Sequence, residues 1–63
     1  MNEYLEYDAD GQLFIVEFPV SNIKINSSKN QIEYTDQNGG RMKKFSTHYE
    51  LIKFANWLSN NNA

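Results

Sequence analysis

Cysteine is absent from the sequence, and histidine occurs once, as His48. Disulfides and thiolate zinc sites are therefore excluded, and one imidazole cannot build a histidine-rich metal site. A lone histidine in the first turn of a predicted helix is expected to be a solvated surface group. Because no nucleophile is paired with a base in a recognisable pattern, we predict that the protein is not an enzyme, has no small-molecule substrate and binds neither a cofactor nor a metal.

Long apolar runs are also missing. The longest extends from Leu13 to Val20, but Glu17 and Pro19 interrupt it, and it is too short to span a bilayer. The first residues are acidic, unlike the basic start of a signal peptide, and the lack of cysteine is compatible with a reducing compartment. We therefore expect a cytoplasmic protein with no membrane partner.

The chain has no large excess of acidic or basic residues, since the formal net charge is only -2. This balance is too weak for an acidic mimic of nucleic acid, and it lacks the positive excess of a typical nucleic-acid binder. Asparagine, lysine and isoleucine are abundant, and Arg41 is the single arginine against five lysines. Such a bias is typical of AT-rich coding sequence, and it favours an origin in a low-GC bacterium or one of its phages.

A chain of 63 residues is expected to form one domain, residues 1–63, with fraying over residues 59–63. A domain of this size buries only about 60% of its unfolded surface, so its core is marginal. Four phenylalanines, four tyrosines and one tryptophan supply much of the apolar area. Without disulfides, stability must come from dense packing or from self-association.

Turn-forming residues near positions 8–11, 19–22, 27–30 and 36–40 separate short segments rich in isoleucine, valine and aromatic residues. We predict that residues 4–7 pair with residues 12–18 and that Pro19 ends the second strand. With residues 27–30 in a loop, apolar residues face apolar residues and a lysine faces a glutamate. The predicted pairs are Ile25 with Ile32, Ile23 with Tyr34, and Lys24 with Glu33.

The next hairpin is predicted to have residues 36–40 in its loop. Tyr34 then faces Met42, and Glu33 faces Lys43. This register points Lys44 inward, so a β-bulge near residues 43–44 is predicted to turn Phe45 into the core instead.

From Thr47 onward the pattern becomes helical. Thr47 and Glu50 have the spacing of a capping box, and a helix is predicted over about residues 48–59. Its apolar stripe is formed by Leu51, Phe54, Ala55 and Leu58, which recur at i, i+3, i+4 and i+7. The sequence therefore predicts an α+β fold: a small four-stranded antiparallel β-meander with one C-terminal α-helix packed on one face, ββββα.

The second strand is apolar on both sides, although a single helix covers only one face of a sheet. Leu13 and Ile15 lie on the face opposite the predicted core. Two interpretations are open: Tyr4 or strong sheet twist covers them within the chain, or they form a subunit or partner interface. Tyr49 and Trp57 on the helix form a second candidate surface, although Trp57 also fits the flank of a core.

The leading hypothesis is a small non-enzymatic protein–protein interaction module, in kind a phage or mobile-element inhibitor of a host protein, acting in the host cytoplasm. Its partner is another protein or a second copy of itself, and we expect a homodimer. One alternative is nucleic-acid binding through Arg41, Lys43 and Lys44, which the predicted burial of the neighbouring aromatics makes less favoured. Another alternative is a self-associating structural or accessory subunit.

Overall fold

Five strands and one helix make up the computed structural model, which describes residues 3–9 and 11–62. β1 and β2 pair as a two-stranded antiparallel sheet, which we call the ribbon, and β3, β4 and β5 form a three-stranded antiparallel sheet. A short 3₁₀ turn, Ser27–Lys29, joins β3 to β4. The elements are β1 (Glu3–Ala9), β2 (Gln12–Phe18), β3 (Ser21–Asn26), β4 (Gln31–Asp36), β5 (Gly39–Lys44) and α1 (His48–Asn61).

The ribbon follows the predicted pairing of the first two strands and extends it to both ends of β1. Its turn uses Gly11 at φ +72, a left-handed conformation that suits glycine. Because opposite residues of an antiparallel pair share a face, the inner face carries Leu5, Tyr7 and Ala9 with Phe14, Val16 and Phe18. The outer face of the ribbon carries Tyr4, Glu6 and Asp8 with Leu13, Ile15 and Glu17.

The hairpin of β3 and β4 confirms the predicted pairs of Ile25 with Ile32 and of Lys24 with Glu33. The register shifts between Ser21 and Lys24, where Asn22 has φ +55, so Ile23 is not held opposite Tyr34 as predicted. Ile23 nevertheless packs against the core from the edge of the sheet.

The register predicted for β4 and β5 is wrong by one residue. Glu33 pairs with Met42 and Tyr34 with Arg41, and the pairing is continuous over the whole of β5, so the bulge expected near residues 43–44 does not occur. The cause is a tighter turn: the Asn38 N–H donates to Asp36 Oδ1 at 2.8 Å, and Gly39 adopts φ +119. Phe45 reaches the core after β5 ends, and its N–H donates to the Asn30 carbonyl at 2.8 Å.

The helix begins where the sequence predicts. Thr47 is its N-cap, and the Thr47 hydroxyl accepts a hydrogen bond from the Glu50 N–H at 3.2 Å. The helix ends at Asn61, two residues beyond the predicted end, and the Asn61 side chain donates to the Trp57 carbonyl at 2.8 Å. The region predicted to fray, residues 59–63, thus begins inside the helix, and Ala63 lies outside the described residues.

The α+β class and the C-terminal helix are confirmed, but the predicted single four-stranded meander is replaced by five strands in two sheets. The reason lies between β2 and β3. Pro19 has no N–H to offer a neighbouring strand, and both backbone groups of Val20 bind the side chain of Asn62. With these groups occupied, the ribbon does not continue into the three-stranded sheet.

The core lies where the inner faces of both sheets meet the helix. The four predicted stripe residues of α1 are all buried. Phe54 is fully buried at the centre of this core and contacts aromatic rings from every direction. Centroid distances from Phe54 are 5.0 Å to Tyr7, 5.5 Å to Phe14, 5.9 Å to Tyr34, 5.5 Å to Phe45 and 5.7 Å to Trp57.

Candidate interaction surfaces

The outer face of the ribbon leaves its apolar residues uncovered. Leu13 is 57% exposed, Ile15 is 60% exposed and Tyr4 is 65% exposed. Tyr4 therefore does not fold over the other two, and the interpretation in which the chain covers them is wrong. The cross-strand neighbours explain why: Leu13 lies opposite Asp8 and Ile15 lies opposite Glu6. The charged side chains of Asp8 and Glu6 are exposed to water and do not cover Leu13 and Ile15.

Tyr4 is tied to the end of this face by Glu17, its cross-strand partner. A hydrogen bond to the Glu17 carboxylate, together with its negative charge, raises the pKa of Tyr4. Glu17 is buried and also accepts a hydrogen bond from Asn38 Nδ2 at 3.0 Å, and its carbonyl accepts one from the Gln37 N–H at 3.3 Å. The turn between β4 and β5 thus anchors one end of the ribbon.

A concave groove of about 490 Å³ lies on the outer face of the three-stranded sheet. One row of cross-strand neighbours, Lys24, Glu33 and Met42, crosses it. Gly40 adds no side chain, and a Cβ placed there would meet nothing within 4 Å, so this part of the groove stays open. Met42 is 57% exposed and gives the groove an apolar contact.

Charge is distributed unevenly along the chain. Residues 1–20 contain five acidic residues and no lysine or arginine, whereas residues 21–63 contain all six basic residues and three acidic ones. The two parts therefore carry formal charges of -5 and +3, which together give the net -2. The ribbon comes from the first part and the three-stranded sheet from the second.

The basic segment does not form the single patch that the nucleic-acid alternative requires. Arg41 Nε lies 3.7 Å from Asp36 Oδ2, whose side chain is almost fully buried, and Lys43 Nζ lies 4.8 Å from the centroid of the Phe14 ring. Only Lys44 of the three extends from the outer face beside Met42, two residues away along β5. Tyr34 and Phe45, the aromatics nearest this basic segment, are buried, as the sequence predicts.

Tyr49 and Trp57, the two candidate interaction residues on the helix, lie in different environments. Tyr49 is 69% exposed, with Lys53 Nζ 5.4 Å from its ring centroid. Trp57 is partly buried and contacts the Tyr7 ring at 4.9 Å and the Phe18 ring at 5.5 Å. Trp57 therefore lies at the flank of the core, which leaves Tyr49 as the protruding aromatic of this surface.

The two inward-facing tyrosines, Tyr34 and Tyr7, have pKa values raised by burial. Burial raises the pKa of Tyr34 to about 12, with a further contribution from the negative charge of Asp36. Burial likewise raises the pKa of Tyr7, against an opposing effect of Lys53.

No group of three or more metal-binding side chains occurs within residues 3–9 and 11–62. In the same part of the chain, no helix is long and apolar enough to cross a membrane. His48 stands exposed in the first helical turn.

Comparison with known proteins finds no matching family model, no matching curated protein and no matching solved structure. Sequence patterns identified the residues of the ribbon face but missed the groove. The signal for the groove was the pairing of two small residues, Thr35 with Gly40. This pairing can be recognised only when β4 and β5 are placed in the correct register.

Proposed function

We propose that this protein is a non-enzymatic protein-binding module that docks its partner on the outer face of the ribbon. The observation that carries the proposal is the adjacent exposure of Leu13 and Ile15 on a strand whose other face is in the core. Burying a side chain of this kind contributes about 1.5–3 kcal/mol relative to exposing it. Two such side chains that stay more than half exposed forgo much of this stabilisation, which is a considerable amount for a domain of 63 residues.

The helix supports this assignment because its own apolar stripe is already buried within the molecule. The helix directs Leu51, Phe54 and Leu58 into the core between the two sheets. Among the described residues, the β4–β5 turn covers this face only at Glu17, and no other element covers Leu13 or Ile15. Large exposed apolar residues grouped on one strand are typical of an interaction site.

Nucleic-acid binding receives less support from the geometry. Arg41 is paired with Asp36, Lys43 lies over the Phe14 ring, and the neighbouring aromatics are buried. The proposal further includes the cytoplasm as the compartment and inhibition of a host protein as one form of the binding. Coding bias and the absence of cysteine support those two points.

Site-specific photocrosslinking tests the ribbon face directly. A benzophenone amino acid replaces Ile15 in one version of the protein and Asn56, on the exposed helix face, in a control version. Each is illuminated in the cell that naturally makes the chain. We expect a discrete protein adduct from position 15 and none from position 56. If position 15 gives no protein adduct, neither with another protein nor with a second copy, the ribbon face is not the interface.

Ile15→Glu provides the complementary test. Because Ile15 is 60% exposed, the substitution should leave the helical circular dichroism signal unchanged while it abolishes association. If Ile15→Glu unfolds the domain, Ile15 contributes to the core, and the interface assignment loses its basis.

A further inference from the structure

The two outer sheet faces of this molecule carry opposite excess charge, and one of them is concave. Apolar Leu13 and Ile15 project from the ribbon beside Glu6 and Asp8, and the outer face of the ribbon carries no basic residue. The three-stranded sheet has a groove of about 490 Å³ instead, with Met42 exposed. On that sheet's outer face, Lys24 and Lys44 outnumber the acidic Glu33.

From this complementarity we propose head-to-tail self-association, in which the ribbon face of one copy docks into the groove of the next copy. Ile15 and Leu13 enter the concavity over Gly40 and contact Met42, while Glu6 and Asp8 approach Lys24 and Lys44. The proposal deepens the proposed function, on which it rests, by naming a second copy of this chain as the partner.

A symmetric ribbon-to-ribbon dimer is disfavoured by the same charges. It brings Glu6 and Asp8 of both copies to one interface, where neither ribbon face supplies a cation. Like charges placed together at an interface oppose association. The head-to-tail arrangement places the acidic side chains of one copy against the basic side chains of the other.

Head-to-tail contact has a consequence for stoichiometry. The ribbon face and the groove belong to different strands, so a molecule that uses one still has the other free. An interface between two different surfaces continues to add copies until a ring closes or an open chain grows. The association therefore does not stop at a dimer.

A mixing experiment with two blocked variants tests the proposal. Ile15→Glu blocks the ribbon face and leaves the groove intact, and Met42→Glu blocks the groove and leaves the ribbon intact. Asn56→Glu makes the same change in charge at an exposed helix position outside both candidate surfaces and serves as the matched control. Circular dichroism verifies the fold of each variant. If Ile15→Glu or Met42→Glu loses its helix signal, Ile15→Ser or Met42→Ser replaces it.

Sedimentation velocity over a concentration series provides the readout. We expect the parent chain and Asn56→Glu to form species larger than a dimer, and each blocked variant alone to remain a monomer of 7.4 kDa. An equimolar mixture of the two blocked variants should form a 1:1 dimer and nothing larger, because one intact ribbon meets one intact groove. Added salt should weaken all of these contacts.

Three results overturn the inference. The first is a parent chain that stays monomeric, the second a Met42→Glu variant that still dimerises by itself, and the third a mixture of blocked variants that remains monomeric. These results are distinguishable from failure of the proposed function. If position 15 crosslinks to a different protein, or if the parent forms a dimer that only Ile15→Glu abolishes, the ribbon face is an interface. Either result excludes the head-to-tail contact.

Discussion

Phe54 is the residue on which most of the packing depends. Its ring contacts five aromatic neighbours that come from β1, β2, β4, the segment after β5 and the helix itself. Aromatic pairs in such tilted, edge-to-face and stacked arrangements stabilise a core beyond their area alone. One side chain thus links both sheets to the helix.

Phe54→Ala is expected to lower the free energy of unfolding by about 3–5 kcal/mol, because the cavity it leaves borders five other rings. Urea unfolding followed by circular dichroism measures the change. Asn56→Ala, two residues away on the exposed face, should change the stability by less than about 0.5 kcal/mol. A loss below about 1 kcal/mol for Phe54→Ala would show that the core does not depend on this ring.

Tyr34 makes stability depend on alkaline pH. Burial raises its pKa to about 12 in the folded state, from 10.0 for an unperturbed phenol. Between those two values the unfolded chain releases the proton while the folded chain retains it, so Tyr34 lowers stability as the pH rises above about 10. Its stabilising contribution is complete below that pH.

We therefore expect Tyr34→Phe to lose less stability than the parent between pH 7 and pH 11. Urea midpoints of both proteins at the two pH values measure the difference. Tyr49→Phe removes an exposed phenol and should follow the parent. Equal losses in the parent and in Tyr34→Phe would show that the phenol of Tyr34 ionises as readily in the folded state as in the unfolded state.

At the level of elements, Asn62 connects the end of the helix to the segment between the two sheets. Its side-chain oxygen accepts from the Val20 N–H at 2.9 Å, and its Nδ2 donates to the Val20 carbonyl at 3.0 Å. The amide thereby pairs with Val20 as a neighbouring strand would. This contact joins residues 42 positions apart in the chain.

Asn62→Ala is expected to cost about 1–3 kcal/mol, because two partly buried backbone groups lose their partners. Hydrogen exchange of the Val20 amide should accelerate, and urea unfolding should give the loss in stability. Asn60→Ala is the matched control, since Asn60 is exposed on the same helical turn. An unchanged Val20 exchange rate in Asn62→Ala would contradict the assigned role.

Local signals explain which elements could be predicted from the sequence. Thr47, Glu50 and the apolar stripe lie within one helix, so the helix start and its buried face followed from spacing alone. The exposed face of β2 followed from its alternation of residues in the same way. The β4–β5 register could not be predicted correctly, because it depends on the Asp36 side chain closing a shorter turn. The division into two sheets depends on Asn62 reaching Val20, which no local pattern reports.

For the whole molecule, the separation of charge is the dominant feature. The acidic ribbon and the more basic three-stranded sheet direct their inner faces to one core, while their outer faces remain available. Glu33 is the exception within the groove, where it lies between Lys24 and Met42. In the proposed head-to-tail contact, Glu33 repels the incoming Glu6 and Asp8.

Glu33→Gln is therefore expected to strengthen self-association several-fold at low salt, with a smaller gain at high salt. Sedimentation velocity at matched protein concentrations measures the change. Glu50→Gln, in the first turn of the helix, removes the same charge away from the groove and controls for net charge. Equal effects of the two substitutions would assign the gain to net charge alone.

The tie between Asn62 and Val20 also sets an order of events during synthesis. All five strands precede the helix, so a growing chain displays the inner faces of both sheets before Phe54 and Asn62 exist. Contacts so distant in sequence carry a loop-closure entropy that slows folding. A chain that lacks the last helical turn therefore leaves the core side of both sheets without its cover, and we expect folding to be completed only when that turn is present.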